Sequence, residues 1–156
     1  MAEKVGILCL SKRPDCILMW SHYAASHTGY VLGFTIENDA MFFVAPSIVN
    51  YTTAYPNISY IQNREQSVKE SLRTKAAEWK YEEEVRIIRP KPGLDSFKKE
   101  CLTQVILGCR VSDENKRKME QILSEPAYEH VVLKHAKVSE SAFVLNLEAT
   151  TIQPTD

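Results

Sequence analysis

Short apolar runs alternate along this chain with segments of helical period, and this alternation limits the folds that the chain can adopt. Runs that are rich in β-branched and aromatic residues, and that end at Pro, Gly, Asn or Asp, are typical of strands. We predict strands at Val5–Ser11, Tyr30–Glu37, Tyr81–Arg89, Leu102–Val111, His130–Ala136 and Ala142–Ala149, and one or two more within Phe42–Tyr55, broken near Pro46.

Three other segments have the apolar spacing of amphipathic helices. The first runs from Cys16 to about His27 with Asp15 as N-cap, and Thr28-Gly29 ends it. The second begins at Asn63, and its predicted apolar stripe is Val68, Leu72, Ala76 and Trp79. The third begins after the N-cap Ser112 and runs to about Ser124.

The resulting order, β-α-β-β-α-β-β-α-β-β, predicts an α+β fold with a mainly antiparallel or mixed sheet and two to three helices. Two adjacent helical crossovers keep an α/β arrangement open as the alternative. The length of 156 residues is that of one domain. We therefore expect a single domain over residues 1–156, with its core between about residues 5 and 149.

The composition excludes several classes of protein. Hydrophobic residues make up 44% and charged residues 25% of the chain, which is ordinary for a globular domain and excludes a disordered or collagen-like chain. The net charge of −1 gives no strong signal for nucleic acid, although a local basic patch remains compatible with it.

The cysteines and the apolar runs bear on the cellular compartment. Cys9, Cys16, Cys101 and Cys109 form no CxxC pair and match no common zinc spacing, so we expect free thiols in a reducing cytoplasm. The longest apolar runs, such as Cys16–Trp20, are too short to span a bilayer. We expect a cytoplasmic protein without membrane contact.

The sequence lacks the common catalytic signatures. It contains no G-x-S-x-G, G-x-G-x-x-G or P-loop motif, so serine-hydrolase and nucleotide-triphosphatase functions have no support. His27, His130 and His135 have no spacing that indicates a metal, and we predict no metal site.

The first candidate cluster lies in the first predicted helix, at Trp20-Ser21-His22-Tyr23. The helical spacing predicts that Trp20 and Tyr23 point to the core and that Ser21 and His22 lie on the flank. An imidazole, a hydroxyl and a phenol there could support acid–base chemistry or hold a polar ligand. Packing with one hydrogen bond from His22 is the alternative.

The second candidate cluster follows Trp79. On a strand, Glu82, Glu84 and Arg86 share one face, with the two carboxylates about 7 Å apart. Arg86 can neutralise Glu84, which leaves a carboxylate to orient a ribose hydroxyl or steady a developing cation. The alternative is a solvated edge strand whose charges discourage aggregation. Lys75, one helical turn before Trp79, could contact an anionic ligand or be an ordinary surface lysine.

These clusters together resemble a bacterial and phage family known as domain of unknown function 2971. The similarity extends from about Gly6 to about Leu147, and its most specific parts are Leu18–Tyr23 (LMWSHY) and Lys75–Arg86 (KAAEWKYEEEVR). Members of the family typically begin with a further segment of several dozen residues. We expect the sequence here to lack that segment, because it starts at the Ser-containing strand.

The resemblance implies a first functional hypothesis, an ADP-ribosyltransferase-like reaction with NAD as substrate. Those enzymes carry a Glu-x-Glu pair beside the nicotinamide-ribose site. By this analogy Glu84 stabilises the oxocarbenium-like ribose and Glu82 positions the acceptor. His22 is the third catalytic candidate, and Tyr23, Arg86 and Lys75 are the candidates for contacts to NAD.

The second hypothesis is a protein-binding module without catalysis, such as a phage or host regulatory protein. In this hypothesis His22, Tyr23, Glu82, Glu84 and Arg86 form a buried polar network that stabilises the fold. No cofactor is then required, and the partner is another protein.

Overall fold

The computed structural model describes residues 5–56 and 63–150. In these ranges the α-helices are α1 (Ile17–Tyr23), α2 (Arg64–Arg73) and α3 (Asp113–Leu123). The strands are β1 (Gly6–Ser11), β2 (Tyr30–Phe34), β3 (Ser47–Ile48), β4 (Asn50–Thr52), β5 (Thr74–Ala76), β6 (Glu84–Arg89), β7 (Leu102–Leu107), β8 (Val132–Val138) and β9 (Leu145–Ala149). Short 3-10 helices lie at Ile36–Asp39, Ala77–Glu82, Lys99–Cys101 and Pro126–Tyr128.

The strands pair in both senses. Sheets of antiparallel and mixed strands together with these helices confirm the predicted α+β class. The chain divides into two compact units, the first made of Met1–Arg13 and Phe43–Asp95 and the second of Pro14–Phe42 and Ser96–Asp156. The predicted extent of a single domain over residues 1–156 stays a prediction.

The first unit is built on a small antiparallel sheet in the order β1-β6-β3. All six residues of β1 pair with β6 without a register shift, from Gly6 opposite Arg89 to Ser11 opposite Glu84. A second, parallel pair joins β4 to β5, with Tyr51 opposite Lys75. The two pairings bring the end of α2 and the 82–86 segment into the same unit.

Helix α2 begins where the sequence predicts and ends earlier. The side chain of Asn63 accepts the N–H of Gln66 at 3.1 Å, which confirms the predicted start, and Lys69 pairs with Glu65 at 2.7 Å in the first turns. The helix stops at Arg73, because β5 begins at Thr74 and pairs with β4. The predicted stripe through Ala76 and Trp79 is therefore wrong, and Val68 is partly exposed.

The second unit contains a mixed sheet in the order β2-β7-β8-β9, with β7 and β8 parallel across α3. Val105 and Leu107 of β7 pack with Leu123 of α3 on one face, and Ile106 packs with Trp20 of α1 on the other. Both faces are covered, which explains why β7 reads as a continuous apolar run. The cap of α3 is confirmed, since Ser112 Oγ accepts the N–H of Asn115.

Helix α1 is shorter than predicted. Its N-cap position is Cys16 and not Asp15, and its last residue is Tyr23 and not His27. The helix ends there because Ala25, Ser26 and His27 all have positive φ, which no continuing right-handed helix permits. The N–H groups of Ala24 and His27 both bond to the carbonyl of Trp20, which closes the turn.

Other strand ends also differ from prediction. The strand predicted at Tyr30–Glu37 stops at Phe34 and is followed by the 3-10 helix at Ile36–Asp39. Buried Asp39 fixes this turn, because its carboxylate accepts the N–H groups of Phe42 and Lys98. Within Phe42–Tyr55 strands form only after Pro46, as β3 and β4.

Candidate functional site

The chain changes backbone conformation four times between Arg73, the last residue of α2, and Glu84, the first residue of β6. After α2 the chain forms β5 and then the 3-10 helix Ala77–Glu82, and Glu83 adopts a left-handed conformation with φ 44° before β6 begins. The prediction that Glu82 lies on a strand and shares one face of it with Glu84 is therefore wrong, since Glu82 is the last residue of the 3-10 helix. The left-handed turn at Glu83 nevertheless lets both neighbouring carboxylates reach the same ammonium group.

That ammonium group belongs to Lys75, which lies between two buried carboxylates. Its Nζ donates to Glu84 Oε2 at 2.9 Å and also to Glu82 Oε2. Glu82 and Glu84 are only 2% and 4% exposed. Carboxylates at that depth are costly unless they are paired and hydrogen-bonded, and Lys75 supplies one such partner to each.

Arg86 forms the second ionic contact of Glu84, along the strand that both residues share. Arg86 Nε lies 2.6 Å from Glu84 Oε1, and its Nη2 lies 3.1 Å from Oε2, so the pair is bidentate. Arg86 Nη1 also donates to the carbonyl of Leu72 at 2.7 Å. This last bond ties the end of α2 to β6 through a charge-assisted donor.

Backbone contacts complete the cluster. The N–H of Glu84 donates to the Tyr51 hydroxyl at 2.8 Å, and the Ser11 hydroxyl donates to the carbonyl of Glu82 at 2.6 Å. We call the side chains of Lys75, Glu82, Glu84 and Arg86 the charged cluster. Its formal charges sum to zero, with two carboxylates and two cations.

The contacts within the charged cluster shift the pKa values of Glu84, Lys75 and Arg86. Burial opposes ionisation of Glu84, yet hydrogen bonds from Arg86, Cys9 and Lys75 outweigh it and lower its pKa to about 2. Burial likewise opposes the charge on Lys75, but the two carboxylates raise its pKa. The Glu84 bond raises the pKa of Arg86. Every one of these three groups is charged at neutral pH.

Cys9 of β1 lies against the same carboxylate. Burial, and then its hydrogen bond to Glu84, raises the pKa of the Cys9 thiol to about 11. The thiol is therefore protonated at neutral pH and serves as a donor to Glu84. A thiol in this state is a poor nucleophile.

One aromatic ring lies against the charged cluster, and a second ring lies beside the first. Lys75 Nζ lies 5.1 Å from the centroid of the Trp79 ring, within range of a cation–π interaction. The centroid of the Tyr81 ring is 6.0 Å from that of Trp79. The ammonium group of Lys75 thus contacts two carboxylates and the face of one aromatic ring.

The structure brings four of the six predicted site residues together, namely Lys75, Glu82, Glu84 and Arg86. His22 and Tyr23 belong to the second unit, at the end of α1. Their ring centroids are 6.2 Å apart in an edge-on arrangement. Tyr23 is 62% exposed, so the prediction that it points to the core is wrong, whereas Trp20 is buried as predicted. The convergence of His22 with the carboxylates stays a prediction.

Residue-by-residue prediction missed Cys9, Ser11 and the Leu72 carbonyl as members of the site. They reach it through the pairing of β1 with β6 and through the end of α2. No local sequence signal indicates such long-range contacts. Tyr51 lies within the predicted strand region Phe42–Tyr55, which indicates a strand there but not its contact with Glu84.

A separate polar pair lies at the end of α1. Ser21 Oγ and His27 Nε2 are 2.9 Å apart, and the Ser21 hydroxyl donates to the Ile17 carbonyl at 3.1 Å. Since the serine proton is used there, the consistent tautomer has His27 Nε2–H donating to Ser21. This pair closes the helix end, and its serine is not activated by the imidazole.

The described residues were also searched for metal and membrane features. Within residues 5–56 and 63–150, no three His, Cys, Asp or Glu side chains form a group that could hold a metal ion. No helix in the same ranges has the length and apolar character needed to cross a membrane.

Comparison with known proteins gives one match. The family model described as "Protein of unknown function (DUF2971)" matches residues 19–87, a little less than half of the chain. No curated protein and no solved structure matches the chain. The match contains most of the LMWSHY motif and the whole segment from Lys75 to Arg86, so it confirms the resemblance that these motifs indicated. Residues 19–87 are therefore similar to the DUF2971 family, and the wider extent of the resemblance, from about Gly6 to about Leu147, stays a prediction.

Proposed function

We propose that the chain is a protein-binding module in which the charged cluster stabilises the fold and performs no catalysis. The observation that carries this proposal is the state of Glu84. Its carboxylate is 4% exposed and accepts hydrogen bonds from Lys75 and from two nitrogens of Arg86. A carboxylate held in this way has little freedom to contact a substrate.

The electrostatics oppose a role of the charged cluster in proton transfer. A general acid or base needs a pKa near the working pH, and the pKa of Glu84 is lowered to about 2. Lys75 and Arg86 have raised pKa values, so they too keep their charge at neutral pH. These shifts suit a structural ion network better than proton transfer.

The proposal assigns protein binding to exposed apolar side chains. Met41, Tyr55, Leu94 and Phe143 are nearly fully exposed. Aromatic residues and Met are enriched at protein interfaces. Loops commonly carry binding residues, and these four side chains all lie outside the helices and strands.

The ADP-ribosyltransferase-like reaction is the second candidate. It is favoured by the convergence of Glu82 and Glu84 on Lys75, since the analogy requires a Glu-x-Glu pair in one place. In that reaction Glu84 would stabilise the ribosyl cation and Glu82 would position the acceptor. His22 would assist catalysis, and Tyr23, Arg86 and Lys75 would contact NAD.

One variant separates the two candidates. Glu84→Gln is expected to lower the melting temperature, because it removes the charge that pairs with Lys75 and Arg86. Wild-type protein is expected to release no nicotinamide from NAD. Glu83→Gln is the matched control, since Glu83 is exposed and its contact with Arg13 is at the surface. Nicotinamide release by wild type that Glu84→Gln abolishes without changing the melting temperature would support the transferase instead.

Binding is tested directly with the immobilised wild-type chain in a native extract of its own cells. The proposal expects a specific protein that is retained, identified and then bound again in purified form. Replacing Phe143 by Ser should weaken that second binding step. An absence of any specific partner would count against the binding module, independently of the nicotinamide result.

A further inference from the structure

The segment that follows β6 forms neither helix nor strand until the 3-10 helix at Lys99–Cys101. Residues 90–98 are all exposed, and within this segment the chain passes from the first compact unit to the second. Exposed loop tips of this kind are the preferred sites at which proteases cut folded proteins.

The segment is held at both ends and makes few contacts between them. A Cβ atom on Gly6 of β1 would lie 2.8 Å from the carbonyl oxygen of Lys91, so the backbone of Lys91 lies against β1. At the other end the N–H of Lys98 donates to the buried carboxylate of Asp39 at 2.8 Å. Within the part of the chain that the structure describes, no hydrogen bond or ion pair involves residues 92–94. These three residues therefore form the tip of the loop.

The tip presents an apolar side chain on an uncrowded backbone. Leu94 is completely exposed. Gly93 has a φ of 148°, and a Cβ atom there would have no other atom within 4 Å. A protease binds its substrate as an extended strand, and glycine reaches that conformation without steric cost. The nearby ion pair between Arg89 and Asp95 lies at the surface, where such pairs are weak, so it opposes this change little.

The residues around the tip select one class of protease. Arg89 and Lys91 are both followed by proline, whose ring fixes φ and leaves the nitrogen without a hydrogen, and this blocks cleavage after a basic residue. The next basic residue, Lys98, is held by its bond to Asp39. Leu94 is left as the side chain that an apolar pocket of a protease can bind.

We infer that the chain is a substrate of an endoprotease that binds an apolar side chain on the carboxyl side of the cleaved bond, and that cleavage falls between Gly93 and Leu94. Hydrolysis consumes one water molecule and breaks the amide bond. The hydroxyl of the water goes to the carbonyl carbon of Gly93 and its remaining hydrogen to the nitrogen of Leu94. This inference rests on the loop tip and not on the proposed protein-binding function.

Cleavage there does not separate the two parts of the chain, because the second unit is built from both of them. Helix α1 and β2 precede the cleaved bond, and β7, α3, β8 and β9 follow it. Strand β2 pairs with β7, and Trp20 of α1 packs against Ile106 of β7. The N–H of Leu145 also donates to the carbonyl of Asp15 at 2.9 Å. The cleaved protein is therefore a complex of two parts that share a sheet and an apolar core.

Limited digestion with thermolysin, which cuts before apolar residues, tests the inference on the folded chain. Mass spectrometry should find one part that ends at Gly93 and one that begins at Leu94. Under native conditions the two parts should elute together from a sizing column at the position of the intact chain, and they should separate only in denaturant. Trypsin should leave every bond between residues 89 and 98 intact.

Two variants identify the residue that the protease recognises. Leu94→Ser should slow cleavage at this bond at least about tenfold, because the apolar pocket loses most of its contact. Ile48→Ser is the matched control, since Ile48 is also an exposed apolar residue but lies on β3, and it should be cleaved at the wild-type rate.

Three results would overturn the inference. The first is a folded wild type whose Gly93–Leu94 bond stays intact while thermolysin cuts the chain elsewhere. The second is cleavage of Leu94→Ser at the rate of wild type. The third is elution of the two parts as separate species under native conditions, which would contradict the complex.

Discussion

Lys75 Nζ lies 2.9 Å from Glu84 Oε2, and it reaches this position from a different strand nine residues earlier in the chain. The same nitrogen also donates to Glu82. One ammonium group thus compensates two carboxylates that are almost completely buried. This contact can form because β5, which carries Lys75, pairs with β4, and because the chain makes a left-handed turn at Glu83.

Replacing Lys75 by Met should strongly destabilise the protein. The change removes a partner of Glu82 and a partner of Glu84, and breaking a buried ion pair in this way costs about 3–5 kcal/mol. Chemical denaturation measures the loss. Lys69→Met is the matched control, because the Lys69–Glu65 pair is exposed and such pairs contribute about 0.3–0.5 kcal/mol. Equal losses in the two variants would contradict the structural role of Lys75.

The stabilising effect of Glu84 should depend on pH. Its pKa is lowered in the folded protein from the ordinary 4.5 to about 2. A group with a depressed folded pKa contributes stability that is complete above its unfolded pKa and is lost as the pH falls through its folded pKa. The difference in unfolding free energy between wild type and Glu84→Gln should therefore be constant near neutral pH. It should decrease between pH 4.5 and about 2, and a constant difference over that window would oppose this account.

Removing the Tyr51 hydroxyl should leave a backbone group of the site without its acceptor. Tyr51→Phe deprives the Glu84 N–H of its 2.8 Å bond, and an unsatisfied buried donor costs about 1–3 kcal/mol. Thermal melting and the exchange rate of the Glu84 amide both report the change. The variant Tyr55→Phe is the control, since Tyr55 is fully exposed. No change in the exchange of the Glu84 amide would show that this bond is not formed in solution.

Gly108 is expected to tolerate no side chain. A Cβ atom there would lie 2.1 Å from the carbonyl oxygen of His27 and 2.7 Å from its carbon, and both atoms are backbone. Gly108→Ala should therefore lower the melting temperature sharply. In Gly33→Ala the close neighbour is the flexible side chain of Gln104, which can move. Gly33→Ala should be milder, and the opposite ranking would contradict the close approach of the 24–29 turn to Gly108.

The sequence was sufficient to predict elements that depend on local signals. Helix α3 has a Ser cap and a regular apolar spacing, and both of its ends lie within one residue of the prediction. The apolar run of β7 begins at Leu102 as predicted, but the strand ends at Leu107 and not at Val111. The ion pair between Glu84 and Arg86 was predictable as well, because Arg86 follows Glu84 by two residues on one strand and therefore lies on the same face.

Other features depended on conformations that carry no sequence signal. A glutamate with positive φ is uncommon, so nothing in the sequence indicated the turn at Glu83. The same holds for Ala25, Ser26 and His27, whose positive φ values end α1 early and leave Tyr23 exposed. Tertiary hydrogen bonds select these conformations, as when the N–H of Arg110 donates to the His27 carbonyl.

The most direct test of the structural ion network is the coupling between Glu84 and Arg86. Unfolding free energies of Glu84→Gln, Arg86→Met and the double variant complete a double-mutant cycle. Two residues in one buried network are expected to show a coupling of about 0.5–3 kcal/mol. If the loss of unfolding free energy in the double variant equals the sum of the losses in the two single variants, the network is contradicted. Glu84 would then again be a candidate catalytic residue.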